Sequence, residues 1–213
     1  MRNALHLIAI LALSMGTMAS PMRSEPQEPS ATMSASDLPA ETPHGGIVVV
    51  ANETGGPRQI SGINGAVQWT VDRYQTAEMS LPDLQIAFHR DRSICGGFDG
   101  LHSGGQGHHQ IDICVGGHLQ RRVTLLHELA HVWVSEHLDD SDRKSFLELR
   151  GLLSWNDSSV AWEQRGTEQA AMIITWGLGD ECVAPDDLAG DEMSTLLSAF
   201  EHLTGRSPVC GRV

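Results

Sequence analysis

The run from Val123 to Val134 constrains this chain more than any other stretch. It is largely apolar and carries His127-Glu128-Leu129-Ala130-His131 in its middle. On an α-helix, at about 100° per residue, His127 and His131 lie one turn apart and leave the same face. With Leu126 as origin, Leu119, Val123, Leu125, Leu129, Ala130, Val132, Trp133 and Val134 cover more than half the circumference. Thr124, His127, Glu128, His131 and Ser135 fill the narrow sector that remains. The spacing therefore predicts a helix buried on most sides, with one polar stripe. Two imidazoles one turn apart suit a metal ion, Zn²⁺ above all, and the Glu128 carboxylate stands beside them, within reach of a water on that metal. This arrangement points to metal-assisted hydrolysis, with a peptide or protein as the substrate.

Composition narrows the setting. At 213 residues the chain has room for one ordinary domain with appendages, and 40% apolar content suffices for a core. A formal charge of −13 argues against nucleic acid or an anionic membrane surface as partner. Residues 1–19 read as a secretory signal peptide: Arg2 supplies the positive start, Leu5 to Leu13 the apolar stretch, and Thr17-Met18-Ala19 a small-residue cleavage site. Residues 20–43, rich in Pro, Ser, Glu and Thr, are predicted to be a disordered linker or propeptide. The folded domain is then expected over residues 44–213, in a product that is secreted or placed in the periplasm or cell envelope. No later stretch approaches the length of a membrane span.

Export changes how the cysteines read. Cys95, Cys114, Cys182 and Cys210 form an even set in an oxidising compartment, which favours disulfides, and none shows the CxxC spacing of a Cys₄ zinc site. Of the three pairings, Cys95 with Cys114 and Cys182 with Cys210 is preferred. The first closes a glycine-rich loop and the second staples the tail.

Strands are predicted at Ile47 to Ala51, Leu84 to His89 and Ile111 to Val115, with a turn at Gly55-Gly56-Pro57. Val67 to Glu78 is ambiguous, alternating like a strand at first and then fitting a helix that ends before Pro82. The stretch from Gly96 to His109 is too glycine-rich for regular structure, so His102, His108 and His109 are read as loop residues without a role. Helices are expected around Ser141 to Arg150, over Gly166 to Trp176 with an end at Gly177 or Gly179, and over Met193 to Leu203.

The third ligand decides the class. His137 stands ten residues after His127, the spacing of an extended HExxHxxGxxH motif, but Val134 occupies the glycine position where that motif turns sharply. If the helix continues, His137 points away from the other two histidines. Glu168 opens the later helix, and Ala171, Met172 and Thr175 share its face. The interval of 37 residues from His131 allows that helix to return against the first. Glu163 is a second nearby carboxylate, crowded by Trp162 and Arg165. A plain ion pair of Glu168 with Arg150 or Arg165 is the alternative.

At these residues the chain resembles a known family. HELAHVW followed by RGTEQAAMIITWGL is similar to the gluzincin branch of the zincin metallopeptidases, and to small bacterial metallopeptidase-like proteins of that type, over roughly residues 84–179. The resemblance implies His127, His131 and Glu168 as zinc ligands and Glu128 as general base. It also implies an α+β, zincin-like fold: a small mixed sheet packed on the active-site helix, with a helical C-terminal part. The sheet's edge strand, expected at Ile111 to Val115, would border the substrate cleft and pair with an extended peptide. No counterpart of the thermolysin-type NExxSD continuation follows Glu168, and the sequence shows no His or Tyr to stabilise an oxyanion. Two other readings therefore stand beside it: a zinc-binding interaction module without turnover, and a metzincin-like peptidase using His137.

Overall fold

The long apolar helix expected around Val123 to Val134 is the centre of a mixed α/β fold in the computed structural model. The structure describes residues 46–52, 57–105, 107–114, 118–184, 188 and 191–211, all within one unit spanning residues 35–213. The signal peptide, the 20–43 segment and the Gly55-Gly56 turn lie outside the described residues. In chain order the elements are β1 (Ile47–Asn52), α1 (Pro57–Thr76), β2 (Leu84–Phe88), β3 (Gly100–Gly105), β4 (His108–Ile113), α2 (His118–His137), α3 (Asp140–Arg150), α4 (Gly166–Leu178) and α5 (Met193–Thr204).

The four strands form one sheet in the order β1-β2-β4-β3, in which β1, β2 and β4 run parallel and β3 is antiparallel to β4. Register sets Ile86 beside Ile111 and Phe88 beside Ile113, and all four are fully buried. Such β-branched and aromatic neighbours build a continuous apolar face. Against it lies the interior made by Ile63, Val71 and Tyr74 of α1 and by Leu125, Leu126 and Leu129 of α2. Tyr74 has no exposure to speak of, and its hydroxyl donates to the Leu126 carbonyl at 3.1 Å, so the buried O–H is satisfied.

Three expectations need correction. The ambiguous Val67 to Glu78 stretch is the second half of α1, a helix that starts at Pro57, a residue suited to a first helical position because it lacks an N–H. The glycine-rich region is partly strand: β3 occupies Gly100–Gly105 and β4 begins at His108. Consequently Ile111 and Ile113 lie on an interior strand between β2 and β3, and β3 is the edge strand; Val115 lies outside the described residues. Glycine weakens a strand through entropy, yet here it lets β3 approach α2.

Helices α2 and α4 pack more closely on each other than any other helix pair. From Gln169 to Leu178 every residue of α4 is buried. Gly177 shows how tightly α5 closes over it: a Cβ there would sit 2.2 Å from the buried Phe200 ring. Helix α3 starts on a capping box, in which the Asp139 carboxylate accepts from the Ser141 and Asp142 amides at 2.8 and 2.9 Å and Asp142 answers to the Asp139 amide. This cap follows directly on the end of α2, so α3 departs without a long loop.

Both preferred disulfides are present, Cys95–Cys114 and Cys182–Cys210, and they suit an oxidising compartment. The second ties the tail to the end of α4, where the Val209 and Cys210 amides both donate to the Gly177 carbonyl at 2.9 Å. Arg73 of α1 reinforces the same corner by donating to the carbonyls of Leu178, Gly179 and Val209. Among the described residues, no helix is long and apolar enough to cross a membrane.

Candidate metal centre

Helix α2 delivers its polar stripe to α4 and β3. His127 and His131 leave the same face of α2, and Glu168 reaches them from the first turn of α4. That first turn is held in place from outside the helix: the Gly166 and Thr167 amides donate to the carbonyls of Ser154 and Trp155 at 3.0 and 2.9 Å. A carboxylate in the first turn is also favoured by the helix dipole.

The three donor atoms converge. Glu168 Oε2 lies 3.3 Å from His127 Nε2 and 3.2 Å from His131 Nε2, and the two imidazole nitrogens are 3.1 Å apart. A tetrahedral site with metal–ligand distances of about 2.0–2.1 Å has ligand-to-ligand edges of about 3.3 Å. The three separations therefore fit one face of a zinc coordination shell. Among the described residues, this is the one group of three His, Cys, Asp or Glu side chains with donor atoms close enough to share an ion. Thr167 Oγ1 stands 3.4 Å from His131 Nδ1, and the Trp162 ring stacks on His127 with centroids 5.9 Å apart, so both imidazoles are braced from behind.

The alternatives fall elsewhere. His137 Nδ1 lies 2.9 Å from the Trp133 carbonyl, the two rings are stacked at 4.6 Å, and its Nε2 faces Ser80. The helix has continued through Val134, and His137 takes no part in the group. Arg150 donates to Gln169 and Asp191, and Arg165 to the carbonyls of Val160 and Ser158, so neither takes the place of the histidines beside Glu168. Glu163 is exposed on a short 3₁₀ turn, Trp162–Gln164.

Electrostatics separate the two carboxylates. Burial pushes Glu168 upward, but hydrogen bonds from His127 and His131 outweigh it and hold the group at about 2, ionised as a ligand must be. Glu128 is only 6% exposed. Burial, helped by the Glu168 charge, raises it to about 7 against the pull of His131 and of the His102 amide, which donates to it. A carboxylate poised there can both accept and release a proton near neutrality.

These groups border a cavity of about 760 Å³ whose wall includes Gly100, Leu101 and His102 of β3 and Met172 and Thr175 of α4. Gly100 is where the edge strand touches the site. A Cβ at that position would lie 2.5 Å from Glu128 Oε1 and 2.6 Å from Thr124 Cγ2, so only glycine lets β3 run this close to α2. The rim is apolar: Phe98, Leu101, Val123 and Trp162, all exposed, line it. Val123 was expected in the core and instead stands 58% exposed at this rim.

Sequence reasoning missed His102 and His109. His102 Nε2 lies 3.0 Å from His109 Nδ1, and His109 Nε2 lies 2.8 Å from Glu136 Oε1. The signal for them is hairpin register: His102 faces Ile111 and His109 faces Gly104, which makes the histidines diagonal neighbours on one face. That register is invisible while the stretch reads as loop. Burial, with the neighbouring His131 and His109 imidazoles, holds His102 down at about 4, so its ring is neutral at ordinary pH. Compared with models of known protein families, with curated proteins and with solved structures, the chain matches none.

Proposed function

We propose that this chain is an exported zinc-dependent metallopeptidase of the gluzincin type, with His127, His131 and Glu168 as ligands and Glu128 as general base. One observation carries the reading: three donor atoms from two helices converge at 3.1–3.3 Å beside a buried carboxylate that is not needed as a ligand. The mixed sheet with an antiparallel edge strand beside α2 supports the zincin-like fold, with β3 as the strand that borders the cleft. The two disulfides support an extracellular or periplasmic site of action.

His127, His131 and Glu168 would hold a zinc ion, which would polarise a carbonyl and lower the pKa of a water to about 7. Glu128, beside that set, would accept the proton of an attacking water and return a proton to the leaving amine as the C–N bond breaks. The open edge of β3 offers main-chain hydrogen bonds to an extended peptide. Glu128→Ala is expected to keep zinc at wild-type stoichiometry and to lose hydrolysis of a broad peptide library. Full activity in that variant contradicts the peptidase reading. A zinc-binding module without turnover would hold the metal equally well and cleave nothing in either form.

A further inference from the structure

Glu136, near the end of α2, accepts hydrogen bonds from the Gly107 amide at 3.1 Å and from His109 Nε2 at 2.8 Å. Those two bonds hold its carboxyl below the usual range, so it is ionised and can only accept. The proton therefore sits on His109 Nε2. With His109 in its neutral form, Nδ1 offers only its lone pair, and His102 Nε2, 3.0 Å away, is then the donor. A neutral imidazole carries one N–H, which leaves Nδ1 of His102 as a bare lone pair. This nitrogen has no protein hydrogen-bond partner among the described residues. The His102 ring borders the cavity and lies nearly parallel to that of His131, with centroids 6.3 Å apart.

The arrangement costs stability unless it does something. The His109 side chain is completely buried, and an apolar residue on this strand would pack as well without desolvating an imidazole. A chain of hydrogen bonds does, however, fix ring orientation and tautomer.

We propose that Glu136 and His109 are positioning residues that lock His102 in its Nε2–H tautomer, so that His102 Nδ1 accepts a hydrogen bond from an N–H or O–H group of the ligand in the metal-bearing cavity. The ligand class is thereby narrowed to molecules that carry a donor beside their metal-binding carbonyl, as the amide N–H of a peptide does. This rests on the reading of the cavity as a ligand site, but the tautomer itself does not need the metal.

Nitrogen-15 spectra of the imidazoles test it, recorded on the full chain with and without zinc. The expected result is His109 and His102 both protonated on Nε2 in either state, with Glu136→Ala releasing His102 into a mixture of tautomers. Glu136 is an exposed helical position where Ala is a good helix former, so the variant should fold. Acetohydroxamate, a metal-binding probe with an N–H donor, should shift the His102 Nδ1 resonance and bind Glu136→Ala about fivefold more weakly, the worth of one ordinary hydrogen bond. His102 protonated on Nδ1 in the wild type overturns the proposal, whether or not zinc binds. So do equal acetohydroxamate affinities in the two zinc-loaded proteins. Failure of zinc to bind, with the tautomers as expected, counts against the peptidase reading alone.

Discussion

Gly100→Ala places one methyl group between the edge strand and Glu128, the proposed general base. Its ideal position lies 2.5 Å from Glu128 Oε1, 2.6 Å from Thr124 Cγ2 and 2.8 Å from Glu128 Cγ. Ordinary carbon contacts are about 3.5–4.0 Å, so the overlap is about 1 Å against three atoms at once. Two of these belong to groups that cannot swing freely: a β-branched Thr124 and the stem of the buried Glu128. Either β3 lifts by about 1 Å, or Glu128 leaves its rotamer at a cost of about 1 kcal/mol. Overpacking of this kind destabilises by about 1–3 kcal/mol, which a urea midpoint will register. A displacement of about 1 Å at a reacting group costs about a hundredfold in rate. The proposed ligands His127, His131 and Glu168 are not among the atoms touched, so zinc content should stay at the wild-type value. The assay is hydrolysis of a peptide library by the zinc-loaded variant, with metal content measured on the same sample. Wild-type turnover would refute the placement of Glu128 against β3, and loss of zinc would refute its separation from the ligands.

Two further outcomes follow from the packing. In the chain-entropy account, the disulfides close loops of 19 and 28 residues and are worth about 3 and 3.5 kcal/mol. Replacing Cys182 and Cys210 together by serine should lower the urea midpoint accordingly, and an unchanged midpoint would count against the tail as a structural clamp. Tyr74 is the chain's single tyrosine, and its burial raises its pKa well above the ordinary value of about 10. A raised acid pKa means that stability is fully present below about pH 10. It falls above that pH by about 1.4 kcal/mol per unit, because only the unfolded chain ionises there. Tyrosinate absorbance should therefore appear together with the loss of circular dichroism. Absorbance rising near pH 10 in a chain that is still folded would contradict the burial.

The helices that build the candidate centre were legible because each carries its own periodicity. The narrow polar stripe on α2 and the glutamate opening α4 depend on local spacing, and the structure brings them together with few intervening options. The cysteine pairing was legible for a similar reason, since each partner closes a short local loop. β3 was not. Gly100, Gly104 and Gly105 have poor strand propensity, and what makes them a strand is non-local: pairing with β4 on one side and close approach to Thr124 and Glu128 on the other. Losing β3 also lost the true edge of the sheet and the diagonal pairing of His102 with His109. Val123 misled in the opposite direction. Its apolar side chain suited the core, but it stands at the cavity rim with Phe98, Leu101 and Trp162, where apolar exposure marks a binding surface.

The choice between Glu168 and His137 as third ligand is the point on which the chemistry turns. Zinc stoichiometry of the purified chain tests it directly, measured in parallel for the wild type, Glu168→Ala and His137→Ala. The geometry predicts one zinc per chain in the wild type and in His137→Ala, and loss of tight zinc in Glu168→Ala. Full zinc retention in Glu168→Ala, with release from His137→Ala alone, would contradict the assignment.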